Sequence, residues 1–179
     1  MSRIRITGGD CRSRLITVAD LPGLRPTPDR VRVTLFNWLG QDLTGLSCLD
    51  LFAGSGILGF EAASRGAAPV TLVERDRRAC AALRRNANTL VISGVEIESC
   101  GALEFAVSPR RRYDLIFLDP PYHAGWLARV APLLDGLATT AARVYAEAER
   151  PLEGLGDAAW RCLRRGRAGQ VHFHLFERG

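Results

Sequence analysis

The sequence contains no lysine: all 24 of its basic residues are arginine, set against 19 acids for a net charge of +5. The simplest source of that bias is GC-rich coding DNA, and it carries no functional weight. Long apolar runs are also missing. Nothing approaches the ~18 consecutive apolar residues that a membrane span requires. The opening Met1-Ser2-Arg3-Ile4-Arg5 alternates where a signal peptide would be continuously apolar. The five cysteines, Cys11, Cys48, Cys80, Cys100 and Cys162, are odd in number, scattered and form no C-x-x-C pair. A disulfide framework and a zinc ribbon are thereby excluded, and a reducing cytoplasm is the expected compartment. Internal repeats and low-complexity linkers are absent. What remains is 179 residues, 47% hydrophobic and 24% charged, the balance of one globular domain long enough to bury its own core.

The charge is unevenly distributed. Residues 1–40 carry a net +4, residues 41–149 a net −2 and residues 150–179 a net +3. A near-neutral middle between basic ends suggests a catalytic core with polyanion-binding extensions, with solvated surface charge as the plain alternative.

From Ser47 onward, short apolar runs alternate with helix-like stretches. Strands are predicted at 48–52, 70–74, 95–99, 113–119 and 142–149, with helices at 57–65, 77–90 and around 125–136. This βαβα rhythm with buried strands predicts a parallel sheet covered by helices on both faces. The end differs. Trp160–Arg164, a turn at "RRGRAG" and an alternating run at 170–176 read as a hairpin that adds an antiparallel pair. At the start, Arg3–Ile6 alternates, Gly8-Gly9 turns, and Leu15–Val18 pairs back. A helix then opens with Thr27 as cap, Pro28 at the first helical position and Asp29 at the positive dipole end. Val31, Leu35, Trp38 and Leu39 form its apolar face and Gly40 ends it.

Two elements carry chemistry. In "LDLFAGSGILG" (49–59), Gly54, Gly56 and Gly59 fit a G-x-G-x-x-G turn between strand and helix, which brings backbone close to a bound cofactor. Alone, this pattern suits nicotinamide, flavin and S-adenosylmethionine (SAM) equally. The acid Glu74 at the next strand's end suits a ribose diol in all three. Asp50, four residues before the first glycine, favours SAM. Phe52 and Arg75, beside these acids, complete the candidate cofactor surface. The second element, "LIFLDPPY", puts Asp119-Pro120-Pro121-Tyr122 at the carboxyl end of a strand, where open α/β sheets bind ligands. It is similar to the motif of methyltransferases that act on planar amines. Such an amine is a poor nucleophile because its lone pair is delocalised. The Asp119 carboxylate and the Pro120 carbonyl offer two acceptors that hold its N–H bonds, and the prolines keep them rigid. Tyr122 offers a face on which an extruded base stacks.

The chain resembles the RsmD-type bacterial methyltransferases that modify guanine N2 in 16S ribosomal RNA. The resemblance runs through "ITGGDCRSRLI", the distinctive "GLRPTPDRVRVTLFNWL", the core "LDLFAGSGILGFEAASRGA", "VERDRRA" and "DLIFLDPPY", and later "AEAE" and "RAGQVHFHLF". It implies a Rossmann-like α/β fold with a mostly parallel seven-stranded sheet, a C-terminal antiparallel hairpin and an N-terminal hairpin-and-helix extension. It also implies Asp119–Tyr122 at the catalytic site, and Asp50, Gly54, Gly56 and Glu74 at SAM, without a metal. Residues 1–40 are then the basic extension, with Arg3, Arg5, Arg12, Arg14, Arg25 and Arg30 as candidate RNA contacts, and 41–179 the methyltransferase domain. The implied partner is ribosomal RNA, free or within an assembling small subunit, with neither a membrane nor an obligate protein partner. One position departs from the pattern: Gly101 stands where an acid usually contacts the adenine, leaving the Gly101-Ala102 backbone to read that edge.

Other residues read more plainly. His172 and His174 share a strand face without a third metal ligand. His123 reads as a rim residue, Arg110-Arg111-Arg112 as a solvated loop and Trp38 as core. Adenine-N6 or glutamine-amide methylation uses similar motifs, and a non-catalytic RNA-binding assembly factor is the alternative from a different class.

Overall fold

The alternating N-terminal segments form the expected hairpin in the computed structural model, which describes residues 2–156 and 159–179. Strands β1 (Ser2–Arg5) and β2 (Leu15–Val18) pair antiparallel, with Ile4 opposite Ile16. Helix α1 (Asp29–Leu39) follows and buries Val31, Leu35, Phe36 and Leu39. The apolar runs then build one sheet from β3 (Cys48–Asp50), β4 (Val70–Val73), β5 (Val95–Glu98), β6 (Tyr113–Leu118), β7 (Ala138–Ala148), β8 (Trp160–Ala168) and β9 (Val171–Arg178). Their spatial order is β5-β4-β3-β6-β7-β9-β8, a seven-stranded sheet among the described residues. The first five of these are parallel, while β9 and β8 run antiparallel.

Helices α2 (Ile57–Ser64) and α3 (Arg77–Leu90) lie with α1 and the hairpin on one face; α4 (Ala102–Val107), α5 (Trp126–Val130) and α6 (Leu134–Leu137) cover the other. Alternation along β6 splits the core accordingly. Leu115 and Phe117 join the first cluster, and Ile116 and Leu118 the second. Helix α2 is apolar nearly all round because it lies between sheet and hairpin loop. The loop docks on its end: the Cys11 N–H donates to Ser64 Oγ at 2.9 Å, and Ser64 Oγ–H to the Gly8 carbonyl at 2.6 Å. Asp76 caps α3 by accepting from the Arg78 and Ala79 N–H groups.

Several boundaries differ from the sequence expectation, each for a physical reason. Thr27 does not cap α1. The N-cap is Pro28, without a side-chain bond, and the Thr27 hydroxyl is used elsewhere. The helix expected around 125–136 is interrupted by a 3₁₀ turn at Ala131–Leu133, where Pro132 lacks the N–H that a continuous helix needs. The turn expected at "RRGRAG" is strand: β8 runs through to Ala168 and the chain reverses at Gly169-Gln170. Gly166 there serves contact, since a Cβ on it would collide with the Phe173 ring. Strand β7 begins at Ala138, ahead of the expected 142. Helix α4 had no sequence signal of its own, being only six residues long.

A buried ion network joins the hairpin side to the sheet side. Arg32 is fully buried and donates to Glu61, Asp29, the Arg5 carbonyl at 2.9 Å and the Thr27 carbonyl at 3.1 Å. Glu61, also fully buried, accepts in addition from Arg65 and from the Thr7 N–H at 2.8 Å. A buried charge left with no partner costs about 3–5 kcal/mol. Arg32→Leu leaves Glu61 with Arg65 and is expected to destabilise by less than that in urea titration. Arg32→Leu combined with Glu61→Leu should cost less than the two single changes added together; strict additivity would show that the pair is not coupled.

Candidate active site

The sheet's chain order reverses between β3 and β6, and in open α/β sheets the crevice outside the strands' carboxyl ends at such a point binds ligands. Three acids meet there. Asp50 ends β3, Asp119 directly follows β6, and Glu147 lies near the end of β7, whose Ala146 pairs with Leu118. The next residue on each strand, Asp119 and Glu147, continues that rung.

The glycine turn fits a close backbone approach. Gly54 and Gly56 have φ of +52° and +77°, a region L side chains avoid. A Cβ on Gly56 would strike Leu83 and Phe60, and one on Gly59 would strike Leu72. Asp50 holds this turn from below by accepting the Gly59 N–H at 3.2 Å. Glu74 holds it from the side: it accepts from Gly54 N–H at 3.0 Å and Asp76 N–H at 2.7 Å, one on each oxygen. Each carboxylate oxygen keeps a second lone pair, so a vicinal diol finds two acceptors at Glu74. Gly101 is the N-cap of α4, and a Cβ there would meet nothing within 4 Å. Ala102 is buried beside it. Phe52 meets the Trp126 ring edge-on at 5.6 Å, and Arg75 is exposed just past Glu74.

Asp119 is half-buried and accepts the Thr27 hydroxyl at 3.2 Å. Thr27 belongs to the "RPTP" segment, whose Leu24 lies over Gly54, so the stretch before α1 forms a wall of the crevice. A cleft of about 280 Å³ opens beside Pro120, Tyr122, His123, Trp126, Glu147 and Glu149. Tyr122 is 42% exposed at its mouth, leaving a ring face for stacking. His123 has φ +61°. Glu149 clamps it there, accepting its backbone N–H and placing Oε2 2.9 Å from Nδ1.

The site is acidic enough to hold protons. Burial, then Glu147 and Asp50, raise Asp119 well above the usual carboxylate range. Burial also raises Glu147, partly offset by the Tyr145 hydroxyl that donates to it at 2.7 Å. Asp50 is pushed up to about 7 by burial, with a smaller contribution from Glu74.

The structure thus brings Asp50, Phe52, Gly54, Gly56, Glu74, Gly101, Asp119, Pro120 and Tyr122 to one end of the sheet, with Arg75 at its margin. The six arginines spread out. Arg3, Arg12, Arg25 and Arg30 are exposed. Arg5 donates to the Ser13 carbonyl at 3.0 Å, and Arg14 to the Leu90 and Thr89 carbonyls at the end of α3. His174 Nε2 accepts the Leu152 N–H at 3.0 Å. Among the described residues, no group of three His, Cys, Asp or Glu is placed to hold a metal. Sequence reasoning missed Thr27, Glu147 and Glu149 as site residues. The signal for the last two was "AEAE", which sets two acids at and just past the end of a strand.

Comparison with known proteins follows the same lines. The family model described as conserved hypothetical protein 95 matches residues 4–177. The Escherichia coli (strain K12) protein named ribosomal RNA small subunit methyltransferase D is 42% identical, over 98% of this chain and 90% of its own. The protein of that name from Haemophilus influenzae is 37% identical, over 97% and 93%. A solved structure described as putative methyltransferase yhhF from Escherichia coli superposes with a TM-score of 0.88 at 41% identity, covering 99% of this chain and 98% of that one.

The acidic site has a measurable consequence. A carboxyl whose pKa is raised on folding binds more protons folded than unfolded, so its effect is to lower stability as pH rises through the folded value. For Asp50 that window runs from its ordinary 3.8 to about 7. Thermal melting of the protein alone should weaken from pH 5 to pH 8, and Asp50→Asn, which keeps an oxygen for the Gly59 N–H, should flatten that decline. An unchanged slope in Asp50→Asn would remove Asp50 as its source.

Proposed function

We propose, for a chain that belongs to the family described as conserved hypothetical protein 95, that it transfers a methyl group from SAM to the exocyclic N2 of a guanine in small-subunit (16S) ribosomal RNA. The observation that carries this reading is the placement of Asp119-Pro120-Pro121-Tyr122 across the crevice from the glycine turn. It is supported by near full-length similarity to proteins named for small-subunit ribosomal RNA methylation. The choice of guanine N2 rests on the "LRPTPDRVR" resemblance, whose Thr27 reaches Asp119.

The crevice fits the cofactor: Glu74 would take the ribose hydroxyls, the Gly54–Gly56 backbone would lie along its chain, and the acids would face its positive sulfur. When bound, SAM supplies a methyl group made electrophilic by that sulfonium. Asp119 and the Pro120 carbonyl hold the amine's N–H bonds and aim the nitrogen. Tyr122 stacks the base, and positioning together with electrostatics lowers the barrier. No step in this scheme calls on a metal. We place the protein in the cytoplasm with ribosomal RNA as its partner; among the described residues no helix is long and apolar enough to cross a membrane. Residues 1–40 act as the RNA-binding extension of a 41–179 catalytic domain.

Incubation with labelled SAM and undermethylated small-subunit RNA or particles, followed by nucleoside mass spectrometry, should yield N2-methylguanosine. Asp119→Ala should abolish it while leaving SAM affinity within a few-fold. N6-methyladenosine, methylated glutamine or no product would each overturn the assignment.

The extension makes a separate prediction. Arg3, Arg12, Arg25 and Arg30 changed together to Ala should weaken RNA binding and shrink the slope of log affinity against log salt by ~0.7 per lost phosphate contact on single strands. Arg14→Ala should instead lower stability by about 1 kcal/mol, because its guanidinium bonds the last carbonyls of α3. An unchanged salt slope in the quadruple variant would move the RNA surface to Arg164, Arg165 and Arg167.

A further inference from the structure

Methylating an amine leaves a proton to be removed. As the nitrogen lone pair forms the N–C bond, the C–S electron pair stays on sulfur, and one N–H proton must pass to a base. Asp119 is the carboxylate assigned to that amine, but it does not stand alone. Glu147 is 3% exposed and follows Ala146 on the adjoining strand, as Asp119 follows Leu118, the residue paired with Ala146. The two side chains are braced from opposite sides. Thr27 Oγ1–H donates to Asp119 Oδ2 at 3.2 Å, and the fully buried Tyr145 donates its hydroxyl to Glu147 Oε1 at 2.7 Å. Neither acid has an arginine partner among the described ion pairs, whereas the buried Glu61 has two. Two neighbouring carboxylates without a cation do not both ionise cheaply, and over a range of pH they hold one proton between them.

We propose that Glu147 is a positioning residue that acts through Asp119, the two forming one proton-sharing pair that serves as the base for the target amine. This rests on the reading of the site as an amine methyltransferase. Glu147 keeps Asp119 more basic than an isolated carboxylate. The pair reacts from its doubly ionised form: the amine proton moves to Asp119 as the N–C bond forms, is shared with Glu147, and then leaves to solvent. Asp50 from β3 bears on Asp119 and reinforces proton retention, whereas the hydroxyls of Thr27, before α1, and Tyr145, on β7, donate to the pair and oppose it. Tyr122, after β6, faces both acids, with Glu149 and Arg25 beyond it.

Two variants shift the pair in opposite directions. Glu147→Gln keeps an oxygen for Tyr145 and removes the like charge, so Asp119 titrates alone at lower pH. Tyr145→Phe removes the donor that stabilises ionised Glu147, so the pair titrates at higher pH. In pH profiles of kcat, Glu147→Gln should move the acid limb to lower pH and reduce the plateau about tenfold or more. Its deficit should therefore be largest near pH 8–9. Tyr145→Phe should move the limb to higher pH, with its deficit largest near pH 6. SAM affinity should stay within a few-fold in both. Carboxyl 13C NMR of the protein without cofactor or RNA gives a reading independent of turnover: Asp119 should titrate in two steps in the wild type and once, at lower pH, in Glu147→Gln. An Asp119 titration unmoved by Glu147→Gln, or limbs unmoved by both variants, overturns the pair. Should Glu147→Gln not fold, the Tyr145→Phe titration decides alone. If the NMR shifts appear but no RNA is methylated, the pair stands and the assigned reaction falls.

Discussion

The position of Asp119 depends on a buried ion cluster centred on α1 and α2. Glu61 sits on α2, directly after the glycine turn, and is bonded by Arg32 from α1, by Arg65 from its own helix and by Thr7 from the hairpin loop. Arg32 also bonds the Thr27 carbonyl, and the Thr27 hydroxyl reaches Asp119. One fully buried guanidinium thus ties the helix that follows the glycine turn to the segment that touches Asp119. A buried ion pair is a weak source of net stability, since desolvation offsets most of the attraction. Its use here is registration: it fixes where the "RPTP" wall lies relative to the sheet.

That registration gives the crevice its electrostatic character. The same end of the sheet gathers Asp50, Asp119 and Glu147, while the hairpin side neutralises its buried acid with two arginines. The contrast is functional. A neutralised Glu61 locks structure, whereas under-neutralised acids await a cation or a hydrogen-bond donor. A sulfonium is such a cation and an exocyclic amine such a donor, which is why the proposed reaction suits these acids.

The fold was legible wherever a periodic pattern had length behind it. The parallel strands, the long α3 and the N-terminal hairpin appear where the apolar spacing placed them, because burial on two faces or one leaves a distinct pattern. What could not be read came from close contacts between distant residues. Gly166 looked like a turn residue and is instead a gap for the Phe173 ring. Thr27 looked like a cap, and its hydroxyl turns to an acid 92 positions on. The short α4 carries too few residues for a period to show. The candidate site divides the same way. Its local motifs, the glycine turn and the Asp-Pro-Pro-Tyr turn, were evident, while Glu147 needed the β6–β7 register to bring it beside Asp119.

Charge counting was the least reliable guide, for a reason that the arginines make plain. The basic extension holds Arg3, Arg5, Arg12, Arg14, Arg25, Arg30 and Arg32, which look equivalent in sequence. Arg32 is sealed in the core, Arg14 closes the end of a helix and Arg5 bonds its own loop. A guanidinium carries five donors in a rigid fork, and each donor spent on a carbonyl is one fewer for a phosphate. The net +4 therefore overstates what the extension offers to a polyanion. The exposed arginines whose donors are not spent on a carbonyl stand on both sides of the "RPTP" wall, Arg3 and Arg12 on the hairpin and Arg25 and Arg30 around the start of α1. Arg25 and Arg30 flank Thr27, so the exposed charges beside the crevice and the hydroxyl that reaches Asp119 belong to one short piece of chain.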